Sequence, residues 1–218
     1  MSLKKYKTVL SGETFETEYE INKSKFIAHV KQVEDEEEAK TFLQQLKKKY
    51  FDATHNCSAW VLGVDGGKQK SNDDGEPGGT AGNPILETIK KNDLVNVIVV
   101  VTRYFGGIKL GAGGLIRAYS HTAALGLSAS KIVTMTPMQR LSITVNYNLF
   151  ANVENWIRNK NITVENKDYT DNVTISLLLL PEEVETRLTE LKDLTSANFS
   201  NKLEEEILVA IETKERDD

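Results

Sequence analysis

Arg103, Lys109 and Arg117 stand among five glycines, Gly106, Gly107, Gly111, Gly113 and Gly114, that fall within nine positions. Glycine at that density marks backbone that needs positive φ or a close approach to another group. Residues 97–101 ahead of it form an unbroken run of branched apolar residues, as in a strand buried on both faces. Beyond it, Leu115, Ile116, Tyr119, Ala123 and Leu127 recur at helical spacing. Strand, glycine loop and helix N-terminus together make an anion cradle of unpaired amides, so these residues predict a contact with a phosphate-bearing ligand or nucleic acid. The loop is neither a P-loop, which needs Lys followed by Ser or Thr, nor a dinucleotide fingerprint, whose third glycine would fall on Ile116. The alternative is a glycine turn that packs tightly under a sheet, with Arg103 or Arg117 paired to a nearby carboxylate.

A second group is acidic. Asp73, Asp74 and Glu76 lie in the polar, glycine-rich stretch 65–84. Carboxylates in such turns bond backbone amides and shape the loop, or they hold a divalent cation through oxygen, although the spacing is not that of an EF-hand. A third pairing is Cys57 with His55, two residues apart on a strand over 55–64, where a nucleophile and base share one face with Ala59 and Val61. A free cysteine among strand hydrophobes more often acts as a small core residue. His121 is the other histidine that could move a proton. No cofactor is expected.

The 218-residue chain suits one large or two small domains, and 39% hydrophobic content can fill their cores. A single cysteine excludes an internal disulfide and a cysteine-cluster zinc site. No apolar run is long enough for a membrane span, and the N-terminal residues have no apolar stretch of a secretory leader. The expectation is a cytoplasmic protein without a membrane partner. Net charge is -5, but residues 1–137 carry 18 basic against 16 acidic side chains and residues 138–218 carry 9 against 16. The acidic second half is a poor phosphate surface, so nucleic-acid contact falls to the first half.

These groups need elements to hold them. Residues 14–21 alternate apolar and acidic side chains and pair, across the turn 22–24, with a strand over 25–33. Asp35 can cap a helix through Tyr50 whose first turn is acidic and last turn basic. Pro84 opens a short helix to about Lys91. The loops 72–82 and 103–114 are expected to face each other across one groove. The second half reads as strands over 138–147, 162–170, 173–180 and 203–211, with helices over 149–159 and from Pro181, in the order βαββαβ. The junction falls at 134–137, giving domains 1–136 and 137–218, and residues 214–218 read as a charged tail.

Three segments carry a family resemblance. ATHNC over 53–57, SNDDGEPGGTAG over 71–82 and VTRYFGGIKLGAGGLIRAY over 101–119 resemble the signatures of the Impact family in its bacterial two-domain form. Gly78 stands where the family often has serine. The resemblance implies an α+β protein. Its N-terminal domain would have the fold shared by a ribosomal small-subunit protein domain and domain IV of elongation factor G, and its C-terminal domain would be ferredoxin-like. It also implies a non-enzymatic, translation-linked regulator that contacts RNA, the ribosome or a translation factor. The competing expectation is an enzyme on a phosphorylated small molecule, using the acidic and glycine loops together.

Overall fold

Alternation of side chains along the strands decides which faces meet in this protein, whose computed structural model describes residues 3–212. The first elements are β1 (Tyr6–Val9), β2 (Thr14–Ile21), β3 (Ser24–Gln32), α1 (Glu36–Lys49), β4 (His55–Leu62), β5 (Lys68–Asn72), α2 (Gly82–Lys91), β6 (Val97–Tyr104) and α3 (Gly111–Ala129). Then come β7 (Ile132–Val145), α4 (Tyr147–Asn159), β8 (Thr163–Tyr169), β9 (Val173–Leu179), a single 3-10 turn at Pro181–Glu183, α5 (Val184–Thr195) and β10 (Ser200–Glu212). This mixture of antiparallel sheets and helices is an α+β architecture. The described residues divide into two units, 6–135 with 210–212, and 136–209 with 3–5. No helix among the described residues is long and apolar enough to cross a membrane.

In the N-terminal unit the sheet runs β2-β3-β6-β4-β5, with β6 at its centre. The uninterrupted apolar run of β6 is buried from both sides. Val97, Val99 and Val101 join Phe26, Ala28 and Cys57 in the larger core with α2 and α3. Ile98 and Val100 pack with Trp60 and Leu62 against Phe42 and Leu46 of α1. Helix α1 starts where expected, with Asp35 accepting from the Glu38 amide at 2.9 Å, acids in its first turn and lysines in its last.

Two strands were not anticipated. β5 is polar and fully exposed, and it forms because the chain pairs Ser58–Leu62 of β4 with Asn72–Lys68, an edge position that needs no apolar face. β1 is four residues long and pairs with Ile132–Met135, so its partner lies far along the chain. β7 therefore begins six residues earlier than the periodicity predicts and runs straight through the expected junction at 134–137. α3 also starts early, at Gly111, which places Gly113 and Gly114 inside its first turn.

In the C-terminal unit the order βαββαβ is present. Leu141, Ile143, Ile175 and Leu177 from β7 and β9 pack against Val153 and Trp156 of α4 and Leu191 of α5. Pro137 and the residues around it are strand, and the tail 214–218 lies outside the described residues.

One buried group gives the N-terminal unit a pH dependence. His29 is fully buried, with Nδ1 3.1 Å from a Glu16 carboxylate oxygen and Nε2 3.3 Å from the Thr102 hydroxyl. Burial pushes its imidazole down to about 4, against the pull of Glu16 and with the help of nearby Lys49. The unfolded ring titrates near 6.5, so the stability held by the neutral ring is fully present above that pH and lost as pH falls toward 4. The urea midpoint of the native chain should therefore drop more between those values than that of a His29→Gln chain; parallel curves would contradict the assignment.

Candidate functional site

The end of β6 and the start of β4 lie side by side, with His55 opposite Arg103 in register. The acidic loop closes over them, and its shape comes from Asp73. That carboxylate accepts from the amides of Gly79 (2.8 Å), Ala81 (3.0 Å) and Gly82 (2.8 Å). Burial works to raise the Asp73 pKa, but the three amides together hold it below the ordinary carboxylate range. Asp74 turns the other way, accepting from the Asn56 amide at 2.7 Å and from Lys47 Nζ at 2.5 Å. Glu76 is buried and accepts through one oxygen from Arg103 (2.6 Å) and from the Tyr119 hydroxyl (2.7 Å). The acidic trio thus points in three directions and shapes the loop. Among the described residues no three His, Cys, Asp or Glu side chains converge on a metal position.

The structure also separates the three cations. Arg103 is only 5% exposed, neutralised by Glu76, with its guanidinium 5.3 Å from the Phe26 ring centre and 5.4 Å from that of Phe105. It ties the two loops together as a structural ion pair. Arg117 lies six residues beyond Gly111, a turn and two-thirds along α3, and so faces a different depression. That depression, of about 370 Å³, is lined by Tyr19, Gly114, Arg117 and His121, with the His121 ring edge-on to Tyr19 at 4.6 Å. Arg103 and Lys109 both border the cavity between the two loops, but Arg103 is already paired with Glu76 and Arg117 lies elsewhere, so the expected cluster of three cations around one anion does not form.

The Cys57–His55 pairing is overturned as well. The Cys57 sulfur lies 3.0 Å from the Asp73 carbonyl oxygen and 3.3 Å from the Tyr119 hydroxyl oxygen. Burial, with added repulsion from Glu76, Asp74 and Asp73, pushes the thiol up to about 12 even though Tyr119 pulls it down. The thiolate needed for nucleophilic attack is therefore not formed near neutral pH. Burial likewise pushes the Tyr119 phenol far up, reinforced by Cys57 and Glu76. His55 turns from Cys57 to the loop, with Nδ1 2.8 Å from the Asp74 carbonyl oxygen.

Between the two loops lies a cavity of about 410 Å³. Glu76 and Pro77 border it from the acidic loop, Phe105, Lys109 and Gly111 from the glycine loop, and His55 from β4. Leu110, the N-cap of α3, gives no side-chain cap, and the first turn holds no acid. The first amides of α3 are thus left to solvent or a ligand. The glycines have distinct duties here. A Cβ on Gly106 would sit 1.9 Å from the Lys23 carbonyl oxygen, so this glycine serves packing. Gly107 and Gly111 take φ of +85° and +68°, in open space. Gly114 meets Leu110, and Gly113 faces only the Arg117 side chain. No sequence pattern assigned a site role to Lys47, Asn56 or Phe105, although Asn56 and Phe105 lie within the segments that carry the family resemblance.

The Impact N-terminal domain matches residues 22–127, and a domain of unknown function, DUF1949, matches residues 143–198. The IMPACT family member YvyE of Bacillus subtilis is 45% identical over 174 residues, which is 80% of this chain and 79% of that protein. The family member YigZ of Escherichia coli is 31% identical over 83% of this chain and 89% of its own. A crystal structure described as that of a hypothetical protein superposes with a TM-score of 0.60 at 28% identity, covering 93% of this chain and 98% of the other.

Proposed function

The chain belongs to the Impact family, and on that premise we propose that it is a non-enzymatic, translation-linked binding protein. Its N-terminal unit takes RNA, free or within a ribosome, in the groove between the acidic and glycine loops. One observation carries this reading: the reactive side chains around the cavity are bonded into the fold, while Lys109, Phe105 and the uncapped amides of α3 face outward. Cys57 keeps its proton, and Asp74, Glu76 and Arg103 are paired. Facing the groove are a cation, helix amides and an aromatic ring 45% exposed, the set that holds phosphate and stacks on a base.

The C-terminal unit, which we read as ferredoxin-like from its βαββαβ order, has its one strand arginine on the outer sheet face already neutralised. On the side of its sheet away from the core, Arg140 is clamped by Glu165 and Glu205. Its neighbours there are the hydroxyls of Ser142, Thr144, Thr174 and Ser176, with no ring for stacking among these residues.

Lys109→Ala should weaken binding of single-stranded RNA whatever its sequence, and should flatten the salt slope of log K by about one. Fluorescence anisotropy across a salt series measures both. Retained affinity and slope would remove the groove from the reading, and binding to a purified translation factor in place of RNA and ribosomes would replace the partner.

A further inference from the structure

Glu76 binds Arg103 and Tyr119 through the same oxygen, Oε1, which leaves Oε2 of a buried carboxylate without a hydrogen bond. Oε2 is not among the fully buried unpaired atoms of the described residues, so it opens to the cavity as an acceptor that a ligand can reach. His55 Nε2 stands 3.8 Å from it. That nitrogen cannot donate to it in the neutral ring. His55 Nδ1 lies 2.8 Å from the Asp74 carbonyl oxygen, which only accepts, so Nδ1 carries the hydrogen and Nε2 carries a lone pair. With the ring neutral, two acceptors stand side by side on the wall of the cavity that also holds Lys109 and the open end of α3.

We infer that His55 Nε2 and Glu76 Oε2 share the single hydrogen of the 2′-hydroxyl of a ribonucleotide in a three-centre bond, with the phosphate of that nucleotide lying toward Lys109. This rests on the RNA reading above and deepens it. The ligand must offer a hydrogen-bond donor within reach of an anion, and the ribose hydroxyl does so within one nucleotide unit. A cavity of about 410 Å³ is large enough for such a unit. Phe105, on the same rim, supplies a ring for its base. The uncapped helix end alone would accept any phosphate; the acceptor pair makes the site choose ribose over deoxyribose.

The test compares three single-stranded oligonucleotides of one sequence, RNA, DNA and 2′-O-methyl RNA, binding to the full chain at one salt concentration. RNA should bind about tenfold more tightly than either of the others, because a methoxy group keeps the oxygen but removes the donor. His55→Asn, whose amide nitrogen can still donate to the Asp74 carbonyl while the Nε2 acceptor is gone, should shrink the ratio of RNA to DNA affinity, and an unchanged ratio would count against the hydroxyl reader. The methylated oligonucleotide needs no substitution, so it decides the matter even where the variant folds poorly. Equal binding of RNA and 2′-O-methyl RNA, with Lys109→Ala weakening both, would overturn the hydroxyl reader and leave the RNA reading standing. Absence of binding to all three would overturn both.

Discussion

Glu76→Ala should cost the N-terminal unit about 3–5 kcal/mol, because it strands a buried guanidinium. Arg103 is 5% exposed and Glu76 is 8% exposed, and the two approach to 2.6 Å. The same carboxylate oxygen is the acceptor for the Tyr119 hydroxyl, itself fully buried. Removing it therefore leaves a charge and a phenol without their partner, in the layer where Phe26 and Tyr119 meet edge to face at 5.2 Å. Desolvation makes the loss larger than for an exposed pair such as Lys40 with Glu36, which contributes about 0.3–0.5 kcal/mol. Urea unfolding of the full chain measures the difference. A second variant, Glu76→Gln with Arg103→Met, removes both charges and should recover a large part of the loss. A midpoint for Glu76→Ala close to that of the native chain would mean that the pair is not desolvated.

Gly106→Ala should cost about 3 kcal/mol or more, the upper end for a residue forced into filled space. The added Cβ would lie 1.9 Å from the Lys23 carbonyl oxygen, 2.0 Å from its carbon and 2.5 Å from the Ser24 nitrogen. These are backbone atoms of a tight turn, with Asn22 and Lys23 at φ of +47° and +61°, so no rotamer change can make room. The turn would have to leave β6, breaking the bond from the Gly106 amide to Ser24 Oγ. Gly107→Ala is the control. It meets open space and bears only its positive φ, a strain of about 1–3 kcal/mol. Thermal unfolding of the two variants should rank Gly106→Ala well below Gly107→Ala, and the reverse order would show that the close approach is not structural.

What could be read from the sequence was what is decided locally. The β2–β3 hairpin, the Asp35-capped α1, the doubly buried β6 and the βαββαβ order of the second half each follow from periodicity or a cap within a dozen residues. β1 and β5 were missed because neither has an apolar face of its own; each exists through a partner strand. At the site, sequence pointed to the right residue types and left their partnerships open. Arg103 was equally able to hold a phosphate or a carboxylate until the register of β4 and β6 brought it under Glu76, 27 residues away. Arg117 looked like a companion of Lys109 because both flank the glycines, but the turn of α3 takes it to another face. The tautomer of His55 depends on a carbonyl 19 residues distant, which no local pattern encodes.

The way Asp73 gathers three amides around one carboxylate has a practical consequence for optical measurements. Gly78 sits inside that gathered turn, yet a side chain there would meet nothing within 4 Å, and its neighbour Pro77 lines the cavity. A cysteine introduced at 78 would carry a fluorophore at the rim of the groove. Cys57, the chain's one native thiol, is buried and held protonated, so it would stay dark to maleimide under native conditions. The protein thus already has the background of a cysteine-free frame, with a natural place to mount a single reporter of what enters the groove.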